Sequence, residues 1–148
     1  MKTEKSFNGI GFRIGVDSLT QLSGARTGAL DPLNGMYWTW NSGYVGVKME
    51  GQSAASAAPG HQIEYHLGGY RGSNAVSLTC ELKSESPFSV SKDGQLALNL
   101  IIELDRFFAR EFSIAKLPAL MTPGPIAKQL MQNFKTCFLI VLPQTSDR

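Results

Sequence analysis

GMYWTWNSGY, residues 35–44, brings together Met36, Tyr37, Trp38, Trp40 and Tyr44. Indoles and phenols bury large apolar areas and present flat faces to ligands. They are also electron-rich enough to be oxidised. Trp38 and Trp40 share parity, so on an extended strand both rings face one way. Such a pair either caps a core, as large rings usually do, or forms an exposed platform for a partner or for oxidation. The first reading is preferred on spacing alone. Imidazole comes only from His61 and His66. At period two, this odd separation points the two rings to opposite faces, so they do not chelate one ion from a regular strand. His66 sits on the polar face of its strand, before a glycine pair, and is the better donor. Its competing role is a structural hydrogen bond. Met36, Met49, Met121 and Met131 offer soft sulfur to Cu(I), although methionine more often fills core gaps.

Enzymatic signatures are missing from the chain. It contains no GxGxxG, P-loop, HExxH or GxSxG motif. GIGFRIG carries glycines, but no strand precedes it and no helix follows it, so a nucleotide reading fails on context. No spacing sets a histidine beside a nucleophile and a carboxylate. The sequence reads as a binding domain and not as an enzyme.

The elements that position these residues are mostly strands. Ile10, Phe12, Ile14 and Val16 alternate with small or polar residues, the signature of a half-buried strand. Residues 17–34 are rich in Gly, Asp, Pro and Asn and read as a long irregular loop, of the kind that often carries function. Strands are predicted at 43–51, with Tyr44, Lys48 and Glu50 opposite Val45, Val47 and Met49; at 63–67; and at 76–82, with a short one near Phe88 and Val90. QSAASAAPG between them reads as a flexible connector. Leu96, Leu98, Leu100, Ile102 and Leu104 also alternate. The period of two outranks leucine's helical preference and predicts a strand. A helix is predicted over residues 123–134, with Thr122 as N-cap and Ile126, Leu130 and Phe134 on its apolar stripe. A last strand runs from Cys137. The fold class is therefore mainly β, a sandwich or barrel-like antiparallel sheet with one short C-terminal helix, in a single domain over residues 1–148.

Composition narrows the partners. The 148 residues are 43% hydrophobic and 18% charged, with a formal net charge of +2. This is ordinary globular composition. Basic residues are scattered, without the clustered face that phosphate neutralisation requires, which argues against nucleic acid. No apolar run approaches the roughly 20 residues of a membrane span. The start, MKTEKSFNGIGF, lacks the continuous apolar stretch of a signal peptide. Cys80 and Cys137 lack metal-ligand spacing and read as buried thiols in preference to one bridge.

VDSLTQLSGARTGALDPLNGMYWTWNSGYVGVKMEG, YHLGGY and MTPGPIAKQLMQNF resemble the MbnP-like family of bacterial envelope proteins. The likeness runs from about Phe7 to Phe138, and its most specific motif, DP-x-x-GMYW-x-W-x-SGY, includes Asp31 and Met36. The resemblance implies a mostly β domain of the periplasm or outer membrane, copper binding in some members, and a di-haem peroxidase of the MauG type as partner. In those members a tryptophan is oxidised to kynurenine and, with histidines, holds copper. The corresponding positions here are Ser42 and Tyr44. Serine has no indole, and a neutral phenol is a poor Cu(I) ligand. The family's copper site therefore does not carry over, and His66 is left as the best donor. Trp38 and Trp40 match the family's WxW pair but not its modified position. The family also carries a signal peptide and further N-terminal strands before the segment corresponding to Phe7. Without them, the edge at residues 7–16 is expected to be open to self-association. The expected function is a non-enzymatic envelope binding protein with copper as cargo at an altered site. The alternative is a protein- or glycan-interaction module using the WxW face and the 17–34 loop.

Overall fold

A computed structural model describes residues 6–39, 42–90, 95–108 and 112–141. Trp40, and with it the shared orientation expected of the two indoles, lies outside the described residues. Among the described residues eight strands appear: β1 (Ser6–Ile14), β2 (Tyr37–Thr39), β3 (Gly43–Gln52), β4 (Gln62–Gly68), β5 (Leu78–Ser89), β6 (Asn99–Ile102), β7 (Ala119–Leu120) and β8 (Phe138–Val141). Two α-helices accompany them, α1 (Ser18–Leu22) and α2 (Pro125–Thr136).

The strands form a mainly β sandwich. One layer is the four-stranded sheet β2-β3-β4-β7, and two-stranded ribbons β1-β5 and β6-β8 build the rest. Pairing is antiparallel except between β4 and the short β7. The core joins Ile14 of β1, Val47 of β3, Tyr65 and Leu67 of β4 and Cys80 of β5 to Leu130 and Met131 of α2. The period-two pattern thus put the right side chains inside: Tyr65 and Leu67 are buried while His66 between them stays on the polar side.

Several local expectations change. The predicted short strand near Phe88 is continuous with the one before it, because β5 runs unbroken to Ser89. A bulge makes this possible: Phe7 pairs with Phe88 and Gly9 with Lys83, so residues 84–87 of β5 stand opposite Asn8 alone. The helix starts later than predicted, at Pro125, with Gly124 and not Thr122 at the cap. Proline is best tolerated at the first helical position, and Pro125 occupies it. The 96–104 alternation yields only the four residues of β6. Leu104 instead opens a 3-10 turn, Leu104–Phe108, that drives Phe107 fully into the core against Tyr65 and Phe134. Nor is the 52–60 connector slack. Ser56 is buried, its hydroxyl donates to the Gln62 carbonyl at 2.6 Å, and its carbonyl meets His61 Nδ1 at 2.9 Å.

Candidate functional site

The 17–34 segment is ordered into a lobe. Asp17 caps α1, its carboxylate accepting from the Thr20 N–H at 3.0 Å and from the Thr20 hydroxyl at 2.8 Å. These hydrogen bonds hold the Asp17 carboxyl below the usual carboxylate range. Asp31 does the same for the 3-10 turn Pro32–Asn34, accepting from the Leu33 N–H at 2.9 Å. Asp31 is thus a turn-capping residue. The signal for α1 was present in the chain as an aspartate directly before SLTQL, but five residues are too few to show a helical period.

Tyr44 anchors this lobe to the sheet. Its side chain is 1% exposed. The hydroxyl donates to the Leu30 carbonyl at 2.8 Å and accepts from the Arg26 N–H at 2.9 Å, with the Gly24 carbonyl at 3.4 Å. Its own N–H donates to the buried Gln21 Oε1 at 2.7 Å. The expectation that Tyr44 lies on the polar face with Lys48 and Glu50 fails for two reasons. Gly46 bulges out of the ladder, so Val45 pairs with Gly68 and Val47 with Leu67, which interrupts the alternation. The lobe then closes over that end of β3. Gln21 went unnoticed in the sequence because a polar residue in a short helix gives no sign of burial.

Trp38 and Tyr37 extend the same surface. The Tyr37 ring packs edge-on to Tyr44 at 4.8 Å between centroids, across the β2–β3 pair. The Trp38 indole lies so close to the β4 backbone that a Cβ at Gly68 would fall 2.6 Å from its Cζ3. Trp38 is half-buried, and Met36 likewise, its carbonyl accepting from the Val45 N–H at 2.9 Å. Three leucines of the lobe face solvent: Leu19 is 80% exposed, Leu22 64% and Leu33 94%.

His66 lies elsewhere, on the outer face of β3 and β4. Its Nε2 is 2.7 Å from Glu50 Oε1, and the Lys48 Nζ lies 3.2 Å from the same oxygen. These contacts hold the Glu50 carboxyl below its ordinary value, the His66 hydrogen bond most and Lys48 next. The Lys48 ammonium, already against the Glu50 carboxylate, disfavours a second cation there. Among the described residues no group of three or more His, Cys, Asp or Glu could hold a metal ion. His61 is committed to Ser56 and Met131 to the core. Ser42 and Tyr44 supply no indole or imidazole, and the Tyr44 hydroxyl is already engaged. The described residues therefore show no cluster of His, Cys, Asp or Glu donors of that kind.

Cys80 and Cys137 are both free and buried. Among the described residues no helix is long and apolar enough to cross a membrane.

Compared with known proteins, residues 1–122 match the family model described as MbnP. Neither the curated proteins nor the solved structures gave a match.

Proposed function

Because this chain belongs to the MbnP family, we propose that it is a non-enzymatic binding protein of the cell envelope whose binding face is the 17–34 lobe with β2 and whose partner is a protein. One observation carries this reading. The Tyr44 hydroxyl ties the lobe to the sheet, and Leu19, Leu22 and Leu33 of that lobe face solvent. Single exposed leucines are ordinary. Three on one short, backbone-anchored segment are presented to solvent by chain that is already ordered, which lowers the ordering cost of binding. The half-buried Trp38 of β2, which follows the lobe in the chain, supplies an aromatic side chain of the kind enriched at interfaces.

The family resemblance supplies the envelope location and one partner class to try first, a di-haem peroxidase of the MauG type. Copper remains the cargo suggested by the resemblance, with His66 and Glu50 as the donors in mutual contact. Lys48 beside them counts against that cargo, and the protein-binding reading stands without it.

A photo-crosslinking residue placed at Leu22 or Leu33 in cells tests the reading. We expect discrete protein adducts, lost when Leu19→Asp is added. The same probe at Gly72, on a different exposed turn, should give none. Identical adduct patterns at all three positions, or no adducts, would remove the lobe from the account. Purified peroxidase mixed with the chain then asks whether that partner is the one captured, and intact mass asks whether a tryptophan has gained oxygen.

A further inference from the structure

The β6–β8 ribbon is apolar on both faces, and its strand β6 is exposed along its whole length. Leu100, Ile101 and Ile102 are 43%, 48% and 47% exposed, and Val141, paired with Asn99, is 41% exposed. Consecutive residues of a strand point to opposite faces, so both sides of the ribbon meet solvent. Phe138 ties its base to the core, edge-on to Phe12 and Phe134 at 5.1 Å each. Further out, a cleft of about 580 Å³ separates Leu139, Ile140 and Val141 from the bulged part of β5. Among the described residues β6 pairs with β8 alone, which leaves one row of its backbone N–H and C=O groups without strand partners. An isolated two-stranded ribbon is marginal in water; a third strand makes it stable.

Edge strands are normally blunted by charge, proline, glycine or a bulge. β1 has such protection, with a bulge between Phe7 and Gly9, glycines at 9 and 11, and Arg13. The edge predicted from sequence to be open also pairs with one strand alone among the described residues, but it carries these guards. Strand β6, NLII, carries no such device.

We propose that β6 pairs antiparallel with β6 of a second copy of this chain, about a twofold axis at Ile101, to make a four-stranded β8-β6-β6-β8 sheet. The axis fixes the register. Opposed residues of an antiparallel pair share a face, so a twofold normal to the sheet must pass through a residue. Centred on Ile101, it sets Leu100 opposite the partner's Ile102 and Asn99 opposite the partner's Glu103. Charge selects the chain's own copy as occupant. The strand has no charge to attract an ionic partner. Glu103 is neutralised by Arg106 at 2.6 Å, and self-pairing opposes it to an amide and no like charge to any other. The contact is isologous, so it closes at two copies and leaves no further β6 edge free.

Sedimentation velocity of the full chain across micromolar concentrations tests this. A dimer is expected, with Ile101→Lys weakening it at least tenfold and Phe7→Lys on β1 leaving it unchanged. A second variant avoids reliance on a folding-sensitive charge. In Ile101→Cys the two introduced thiols face each other across the axis, where opposed Cα atoms lie about 4.5–5.5 Å apart, within bridging range. Mild oxidation should link this variant into a dimer. The native thiols do not compete, because both are buried. A parent that is monomeric throughout, with no link through position 101, overturns the proposal. So does a link formed by Phe7→Cys in its place, or a monomer that pellets with anionic lipid vesicles through the ribbon.

Discussion

The hydroxyl of Tyr44, on β3, donates to the carbonyl of Leu30 at 2.8 Å and so ties a segment without strands of its own to the most buried end of the sheet. The same oxygen accepts from the Arg26 N–H at 2.9 Å. One phenol therefore satisfies two backbone groups of the lobe, and the lobe in turn keeps water from the phenol.

Tyr44→Phe keeps the ring and its contact with Tyr37 but leaves the Leu30 carbonyl and the Arg26 N–H without this partner. An unpaired buried polar group costs about 1–3 kcal/mol. We expect a loss in that range by urea denaturation, together with faster amide exchange at Arg26 and across residues 17–34. Exchange at Leu67, in the core of β4, should change only by the global loss.

Gly68→Ala pushes a methyl group into the Trp38 indole, since the new Cβ would stand 2.6 Å from Cζ3. Overpacking of this kind costs about 1–3 kcal/mol. The ring is expected to swing outward. In a Trp40→Phe background, which isolates Trp38, its emission should shift to longer wavelength and be quenched more by acrylamide. Unchanged emission would mean that the ring is not seated on Gly68.

Glu50→Gln probes the outer face. In the folded chain the Glu50 carboxyl is held low by His66 first and Lys48 second. A depressed carboxylate contributes stability that is present above its unfolded pKa, about 4.3, and is lost as pH falls through the folded value. The parent should therefore exceed Glu50→Gln in stability near neutrality. The gap should close as pH drops below the unfolded value, read as urea midpoints from pH 6 to pH 3. His66→Ala should remove most of that pH dependence. A gap of constant size would assign the effect to packing.

Burial pushes the Cys137 thiol up to about 11 and raises Cys80 as well. A raised thiol pKa adds stability that is whole below the free-thiol value near 8.5 and declines as pH rises toward the folded value. Because the thiolate is the nucleophile, brief N-ethylmaleimide treatment at pH 7 should add nothing to the native chain. Both cysteines should react in denaturant. One rapid native adduct would mean a thiol is accessible.

Much of the scaffold was legible in the amino-acid sequence because its determinants are local. Alternation at 43–51, 63–67 and 76–82 marks strands that bury one side chain in two, and a strand with one buried face has little freedom to do otherwise. The apolar stripe of α2 was readable for the same reason, though its start depended on which proline took the first helical position. The MbnP family was legible too, from one long aromatic motif. What only the tertiary structure decided is the fate of residues whose pattern suits two environments. Tyr44 is buried because a bulge at Gly46 and a lobe from far upstream in the chain meet over it. Leu100 and Ile102 of β6 continue an alternation like that of core residues yet stand exposed, while Phe107, from the turn that follows, fills the core beside α2. Periodicity reports which side chains share a face; which face is covered depends on chain segments that meet only in the folded molecule.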